Sequence, residues 1–120
     1  MVSKVIFIVD DEAVIADTLS VILQHAGFVA KAFHRPEEAL HAADSIVPDL
    51  LISDVFMPGM TGVELANRVR AQSPDCRVFL FSGQQNARSI MEKEQGHFEF
   101  IIIEKPIHPT ELLALIHESL

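Results

Sequence analysis

Apolar residues gather along this chain in short runs, and between the runs they recur at helical spacing. Lys4 to Val9 (KVIFIV), Asp49 to Ser53 (DLLIS), Arg77 to Phe81 (RVFLF) and Phe98 to Ile103 (FEFIII) are near-continuous apolar stretches of strand length. A strand covered on one face alternates apolar and polar residues, so a continuous run predicts a strand buried on both faces. Phe28 to Phe33 (FVAKAF) reads as one more strand, second in chain order. A helical pattern starts at Asp11-Glu12, with Ile15, Leu19, Ile22, Leu23 and Ala26 along one face. Gly27 stands where a helix end favours a left-handed residue. Pro36 in a first-turn position, followed by Glu37 and Glu38, opens a second helix through Ala39, Leu40 and Ala43. Met57 to Gly62 (MPGMTG) is a loop by its Pro and Gly content. Val63 to Gln72 is a third helix, with Leu65, Ala66 and Val69 inward. Gln84 to Gln95 has helical spacing through Ala87, Ile90 and Met91. Pro109 opens a last helix through Leu112, Ile116 and Leu120.

Five β–α units thus fill 120 residues, with no repeat, linker or low-complexity tract. Alternating units with short connections predict an α/β fold, a parallel sheet with helices on both faces. Sites in such open sheets form beyond the carboxyl ends of the strands, near the point where strand order reverses.

Composition narrows the function classes. A chain of this length buries roughly two-thirds of its unfolded surface, and with 49% hydrophobic residues a packed core is expected rather than disorder. The net charge of −8, with nine scattered basic residues, disfavours direct nucleic-acid binding and suits a cation or a basic partner. No segment approaches the roughly 18 apolar residues of a membrane span. Asp10-Asp11-Glu12 argue against a signal peptide, so a cytoplasmic location is expected. The single cysteine, Cys76, cannot form an internal disulfide and reads as structural. None of the six histidines pairs at zinc-ligand spacing. His25 and His117 fall late in their helices, where a cation interacts well with the helix dipole, and His108 precedes Pro109 as an N-cap.

The residues that end the strands share one chemistry. The first strand ends in Asp10-Asp11, the third in Asp54, the fourth in Ser82-Gly83 and the fifth in Lys105-Pro106. Each pair alone is a common turn or cap. Together they place three carboxylates, a hydroxyl and an ammonium on one edge. Clustered carboxylates repel unless a proton or a cation relieves them. Hard oxygen ligands of this kind suit Mg²⁺, which often binds through one or two carboxylates plus a phosphate. A carboxylate beside such a metal can take a phosphoryl group as an acyl phosphate, which the lysine and hydroxyl would then satisfy.

At these residues the sequence resembles the receiver domains of bacterial two-component response regulators, the CheY-like family. The resemblance runs from VIFIVDDE through SDVFMPGMTG and FLFSG to IEKPI. It implies a doubly wound five-stranded sheet of order 2-1-3-4-5, with residues 1–120 as one receiver domain and no output domain among them. Asp54 would be phosphorylated by a sensor histidine kinase or a histidine phosphotransfer protein. Mg²⁺ (or Mn²⁺) would be held by Asp10, Asp11, Asp54 and the backbone carbonyl of Phe56. Ser82, Gly83 and Lys105 would sense the phosphoryl group, and the Lys105–Pro106 bond would be cis. The downstream partner is left unnamed. A homodimer through the face of the fourth helix, fifth strand and fifth helix belongs to the same expectation, with Arg88, Lys93, Glu99 and Glu104 supplying charges there.

Two positions depart from the family's pattern. Where members often carry a switching Tyr or Phe, this chain has Ile102, with Phe100 the nearest aromatic on that face of the strand. Phe56 and Gln84 occupy the positions that tune dephosphorylation; a phenylalanine offers hydrolytic water no hydrogen bond, so a long-lived phosphorylated form is expected. Rival readings are weaker. An aspartate-nucleophile Mg²⁺-dependent phosphohydrolase typically carries a second Asp where Phe56 stands. A nucleotide- or flavin-binding module needs a Gly-rich loop where Asp10-Asp11-Glu12 would repel phosphate. A degenerate receiver, acting only as an interaction module, would be missing site residues that are all present here. The expected protein is therefore a switch, not an enzyme acting on outside substrates.

Overall fold

The apolar runs become the strands of one sheet because each has a helix layer on either side. The computed structural model describes residues 3–83, 100–105 and 107–120. In chain order these form β1 (Val5–Val9), α1 (Ala13–His25), β2 (Val29–Phe33), α2 (Pro36–Ala43), β3 (Leu50–Asp54), α3 (Gly62–Gln72), β4 (Arg77–Ser82), β5 (Ile101–Glu104) and α4 (Pro109–Ser119). The helix expected over residues 84–95 lies outside the described residues, so α4 is the last helix of the sequence reading. The strands lie in the order β2-β1-β3-β4-β5, and every neighbouring pair is parallel. The doubly wound α/β fold and its strand order are as expected.

Period-two alternation divides each run between two cores. Phe7, Val9, Leu51, Val78 and Leu80 point to one face, where they meet Ala39 and Ala43 of α2 and Val63, Ala66 and Val69 of α3. Ile6, Ile8, Ile52, Phe79, Phe81 and Ile103 point to the other, against Ala16 and Leu23 of α1 and Leu112 and Ile116 of α4. Each large apolar side chain so buried contributes about 1.5–3 kcal/mol, so a polar replacement at Ile6, Phe7, Ile8, Val9, Leu51 or Ile52 would damage one core or the other.

Element ends follow their local chemistry. Gly27 closes α1 with φ +98°, its N–H donating to the Gln24 carbonyl at 3.0 Å. Thr61 caps α3 by accepting from Glu64 N–H at 3.1 Å, and His108 Nδ1 caps α4 by accepting from Thr110 N–H at 3.2 Å. His25 and His117 sit in last turns, as expected. Several boundaries differ from the sequence reading by a residue or more. Helix α1 starts at Ala13, because Asp10 Oδ1 accepts from Glu12 N–H at 2.9 Å and holds the acidic residues in the loop. Strands β3 and β4 each extend one residue further than the apolar runs, to Asp54 and Ser82, since the ladder needs backbone groups and not apolar side chains. Strand β5 is described as Ile101–Glu104, with Phe100 just before it.

Candidate functional site

The register of the sheet carries Asp10, Asp54 and Ser82 to one edge. Val9 is paired with Ser53, so Asp10 and Asp54 leave neighbouring strands at the same level. Asp54 is paired with Phe81 and Ser82 with Glu104, which brings Ser82 and Lys105 to that level as well. Lys105 N–H donates to the Ser82 carbonyl at 3.0 Å, joining the last two strand ends.

Asp10, Asp11 and Asp54 each offer a carboxylate oxygen, and these oxygens all lie within 4.8 Å of one another. Lys105 Nζ stands 3.2 Å from Asp10 Oδ2 and 3.4 Å from Asp54 Oδ2, one ammonium between two carboxylates. Asp10 is buried, Asp11 is exposed, and Asp54 keeps 15% of its side chain open to solvent. Burial pushes the Asp54 carboxyl above its ordinary value; Lys105 pulls it down, and the charges of Asp10 and Asp11 add to the rise. Burial works against the charge on Lys105, but Asp10 and Asp54 outweigh it and the ammonium is held above its ordinary range. One lysine against three carboxylates leaves the edge short of positive charge, so a hard cation fits this donor set.

Ser82 is buried at the end of β4, and Gly83 is exposed, with nothing within 4 Å of where a Cβ would stand. Phe56 is half-buried and packs against the core on the α2/α3 side. Beside Asp11 an open cleft of about 1160 Å³ is walled by His34, Arg35, Glu37 and Pro58 among others. Gln84 and Pro106 lie outside the described residues, and with them the second tuning position and the cis bond. Arg88, Lys93 and Glu99 do so too, while Glu104 is exposed on β5.

A family model described as a response regulator receiver domain matches residues 6–117. The chain belongs to that family. The DNA-binding response regulator MtrA of Mycobacterium tuberculosis is 31% identical, over 96% of this chain and 50% of its own length. The transcriptional regulatory protein CreB of Escherichia coli is 33% identical, over 100% of this chain and 52% of its own. The receiver therefore spans about half the length of these curated relatives. The solved chemotaxis response regulator CheY4 of Vibrio cholerae superimposes with a TM-score of 0.85 at 28% identity, covering 99% of this chain and 100% of that one. As a receiver domain the chain is of the phosphoacceptor class of two-component signalling, and its acidic edge is the kind of pocket in which receivers bind Mg²⁺.

Two further residues shape the receiver's site and were not singled out by sequence reasoning. Ser53, wholly buried, donates its hydroxyl to the Asp54 carbonyl at 2.9 Å. Gly62 opens α3 against that same carbonyl. The glycine is visible in the sequence as part of MPGMTG, but only as a loop residue. Cys76 is structural, as expected: it is buried, its thiol is pushed up to about 12 by burial, and its Sγ donates to the Arg77 carbonyl at 3.3 Å. Ile102 is half-buried on β5 opposite Leu80. Phe100 packs on the α2/α3 core, with the Arg70 guanidinium carbon 5.5 Å from its ring centre. Among the described residues no helix is long and apolar enough to cross a membrane.

Proposed function

We propose that Asp54 is the phosphoacceptor, charged by a sensor histidine kinase or a histidine phosphotransfer protein. The observation that supports it best is the carboxylate triad within 4.8 Å, with Lys105 Nζ between Asp10 and Asp54. Of the two carboxylates that contact the lysine, Asp54 is the one with an open side, so it is the one a donor can reach. A carboxylate oxygen of Asp54 attacks the phosphorus of the donor phosphohistidine. The phosphorus–nitrogen bond breaks, its electron pair stays on the imidazole, which takes up a proton, and an acyl phosphate remains on Asp54. The carboxylates of Asp10, Asp11 and Asp54 and the Phe56 backbone carbonyl would hold Mg²⁺ (or Mn²⁺), which would supply positive charge to offset that of the carboxylates and the incoming phosphoryl group. Lys105 then exchanges a carboxylate partner for phosphoryl oxygens, and the Ser82 hydroxyl, next to the Phe81 that faces Asp54, turns toward the same group.

Phosphoryl arrival therefore rearranges the ends of β4 and β5, and that change is the output. No substrate is turned over beyond the receiver's own phosphoryl group. With Ile102 at the usual aromatic position, the signal runs through Ser82 and the segment after Gly83. MtrA is by name a DNA-binding response regulator; an output module of that kind, in the same chain or a partner, is what this receiver would control. The receiver itself, at −8, keeps away from nucleic acid and works in the cytoplasm. A homodimer through a face that includes β5 and α4 remains part of the reading. Phe56, half-buried at the site, shields the acyl phosphate from water, and Phe56→Asn should speed its decay; an unchanged lifetime would remove that role.

Intact-protein mass spectrometry after incubation with acetyl phosphate tests the reading. A gain of one phosphoryl group that needs Mg²⁺ and disappears in Asp54→Asn is expected. Labelling that survives Asp54→Asn places the chemistry elsewhere. A folded, Mg²⁺-binding protein that takes no label is a degenerate receiver or one served only by its kinase.

A further inference from the structure

The peptide that follows Asp54 is gripped from two elements. On one side the Ser53 hydroxyl donates to the Asp54 carbonyl oxygen at 2.9 Å, with the Met57 sulfur at 3.9 Å as a weaker alternative acceptor. On the other, a Cβ at Gly62 would stand 2.2 Å from the same oxygen, 3.0 Å from its carbon and 3.1 Å from Ser53 Oγ. The bare Cα of α3's first residue is thus seated directly on the Asp54 carbonyl. The N–H of that same peptide, on Val55, donates to the Phe81 carbonyl at 3.0 Å, and in the next peptide the Val55 carbonyl accepts from Gly62 N–H at 2.8 Å.

Ser53 needs an explanation, because nothing in the strand requires a hydroxyl there. Its neighbours Leu51, Ile52 and Val55 are fully buried apolar residues, and Ser53 has no exposure either. A buried hydroxyl costs free energy unless it is bonded; here its bond goes to the one carbonyl that belongs to the phosphoacceptor. We propose that Ser53 is a positioning residue. By holding the Asp54 carbonyl against Gly62, it sets the rotation of the two peptides between the Asp54 carboxylate and the Phe56 carbonyl. The inference rests on the proposed reading, in which those two groups hold the cation. Ser53 touches neither phosphoryl group nor metal and acts through the backbone alone.

The test compares Ser53→Ala with Ser20→Ala. Ser20 is also buried and also donates to a carbonyl, that of Ala30 at 3.4 Å, on α1. Both variants lose one buried hydroxyl and should lose similar thermal stability. Mn²⁺ affinity is read by calorimetric titration, and phosphorylation by acetyl phosphate as the rate of mass gain. In Ser53→Ala both should fall about five- to tenfold, the scale of one such hydrogen bond; in Ser20→Ala both should stay within about twofold. A folded Ser53→Ala protein with wild-type Mn²⁺ affinity overturns the inference, as does an equal loss in Ser20→Ala. If the wild type binds Mn²⁺ but takes no phosphoryl group from acetyl phosphate, it is a degenerate receiver or one served only by its kinase, and the two Mn²⁺ affinities still decide the role of Ser53. If the wild type binds no Mn²⁺, both fall together.

Discussion

The two edges of the sheet handle charge in opposite ways. At the amino edge charged side chains serve the backbone: Asp49 Oδ2 accepts from Val5 N–H at 2.8 Å, and Arg70 Nε donates to the Cys76 carbonyl at 2.8 Å. Each charge there meets a dipole it can satisfy, and the result ties strands and a helix together. At the carboxyl edge the charges face one another, three carboxylates within 4.8 Å and one ammonium between two of them. Lys105 offsets part of that repulsion, and a bound cation would offset more. The difference teaches where function lies: counting charged residues would not separate the edges, whereas asking what each charge is paired with does.

Asp10→Asn against Asp49→Ala should break the comparison most sharply. The first is expected to abolish Mg²⁺-dependent phosphorylation and weaken Mn²⁺ binding at least tenfold, without loss of thermal stability, since it removes a repelling charge. The second should leave the folded protein fully able to take a phosphoryl group while costing about 1.5–3 kcal/mol of stability, the value of a charge-assisted hydrogen bond. Labelling kinetics beside chemical unfolding would show both. Were Asp49→Ala to lose phosphorylation while folded, the edges would not be separable. Next in size is Gly62→Ala: its Cβ meets backbone rather than a movable side-chain tip. A loss of about 1–3 kcal/mol is expected from overpacking, together with weaker Mn²⁺ binding.

A smaller effect lies in pH. The Asp54 carboxyl is raised above its ordinary 3.8 in the folded protein, so the folded state holds that proton more tightly than the unfolded one. Its contribution to stability is complete below 3.8 and is lost as pH rises through the folded value. Asp54→Asn should therefore stabilise the metal-free protein more at pH 7 than at pH 4, by about 2–5 °C in thermal midpoint. Mg²⁺ at ten times its Kd should stabilise the wild type by about 1.4 kcal/mol. Equal midpoints for wild type and Asp54→Asn at both pH values would mean that the carboxylates do not repel. Least visible is Cys76: with its thiol near 12 and buried, alkylation at pH 8 should be negligible until denaturant opens the amino edge. Rapid alkylation of the native protein would contradict that structural role.

Much of the site was legible because strand ends are legible. Once KVIFIV, DLLIS and RVFLF are read as parallel strands, Asp10, Asp54 and Ser82 must lie beyond one edge, and β5 carries Lys105 there. What could not be read was distance. That Lys105 lies between Asp10 and Asp54, rather than on Asp54 alone, depends on sheet twist and on the Ser82–Lys105 backbone bond. Nor could the sequence distinguish Ser53 from any small residue in a strand, because its role is defined by a carbonyl and a helix start arriving from elsewhere.

By itself the sequence determined the alternation of strands and helices, the two-sided burial of the central strands and several element ends, among them Gly27, Pro36 and His108. These are local properties: apolar periodicity, capping groups and backbone freedom act over a few residues and need no partner. Only the tertiary structure decided which charges are matched and which are in surplus, and which backbone contact admits no Cβ. Such features arise from pairings far apart in the chain, Val9 with Ser53 and Asp54 with Phe81. An ion pair or a steric seat is fixed by ångströms that no local pattern encodes.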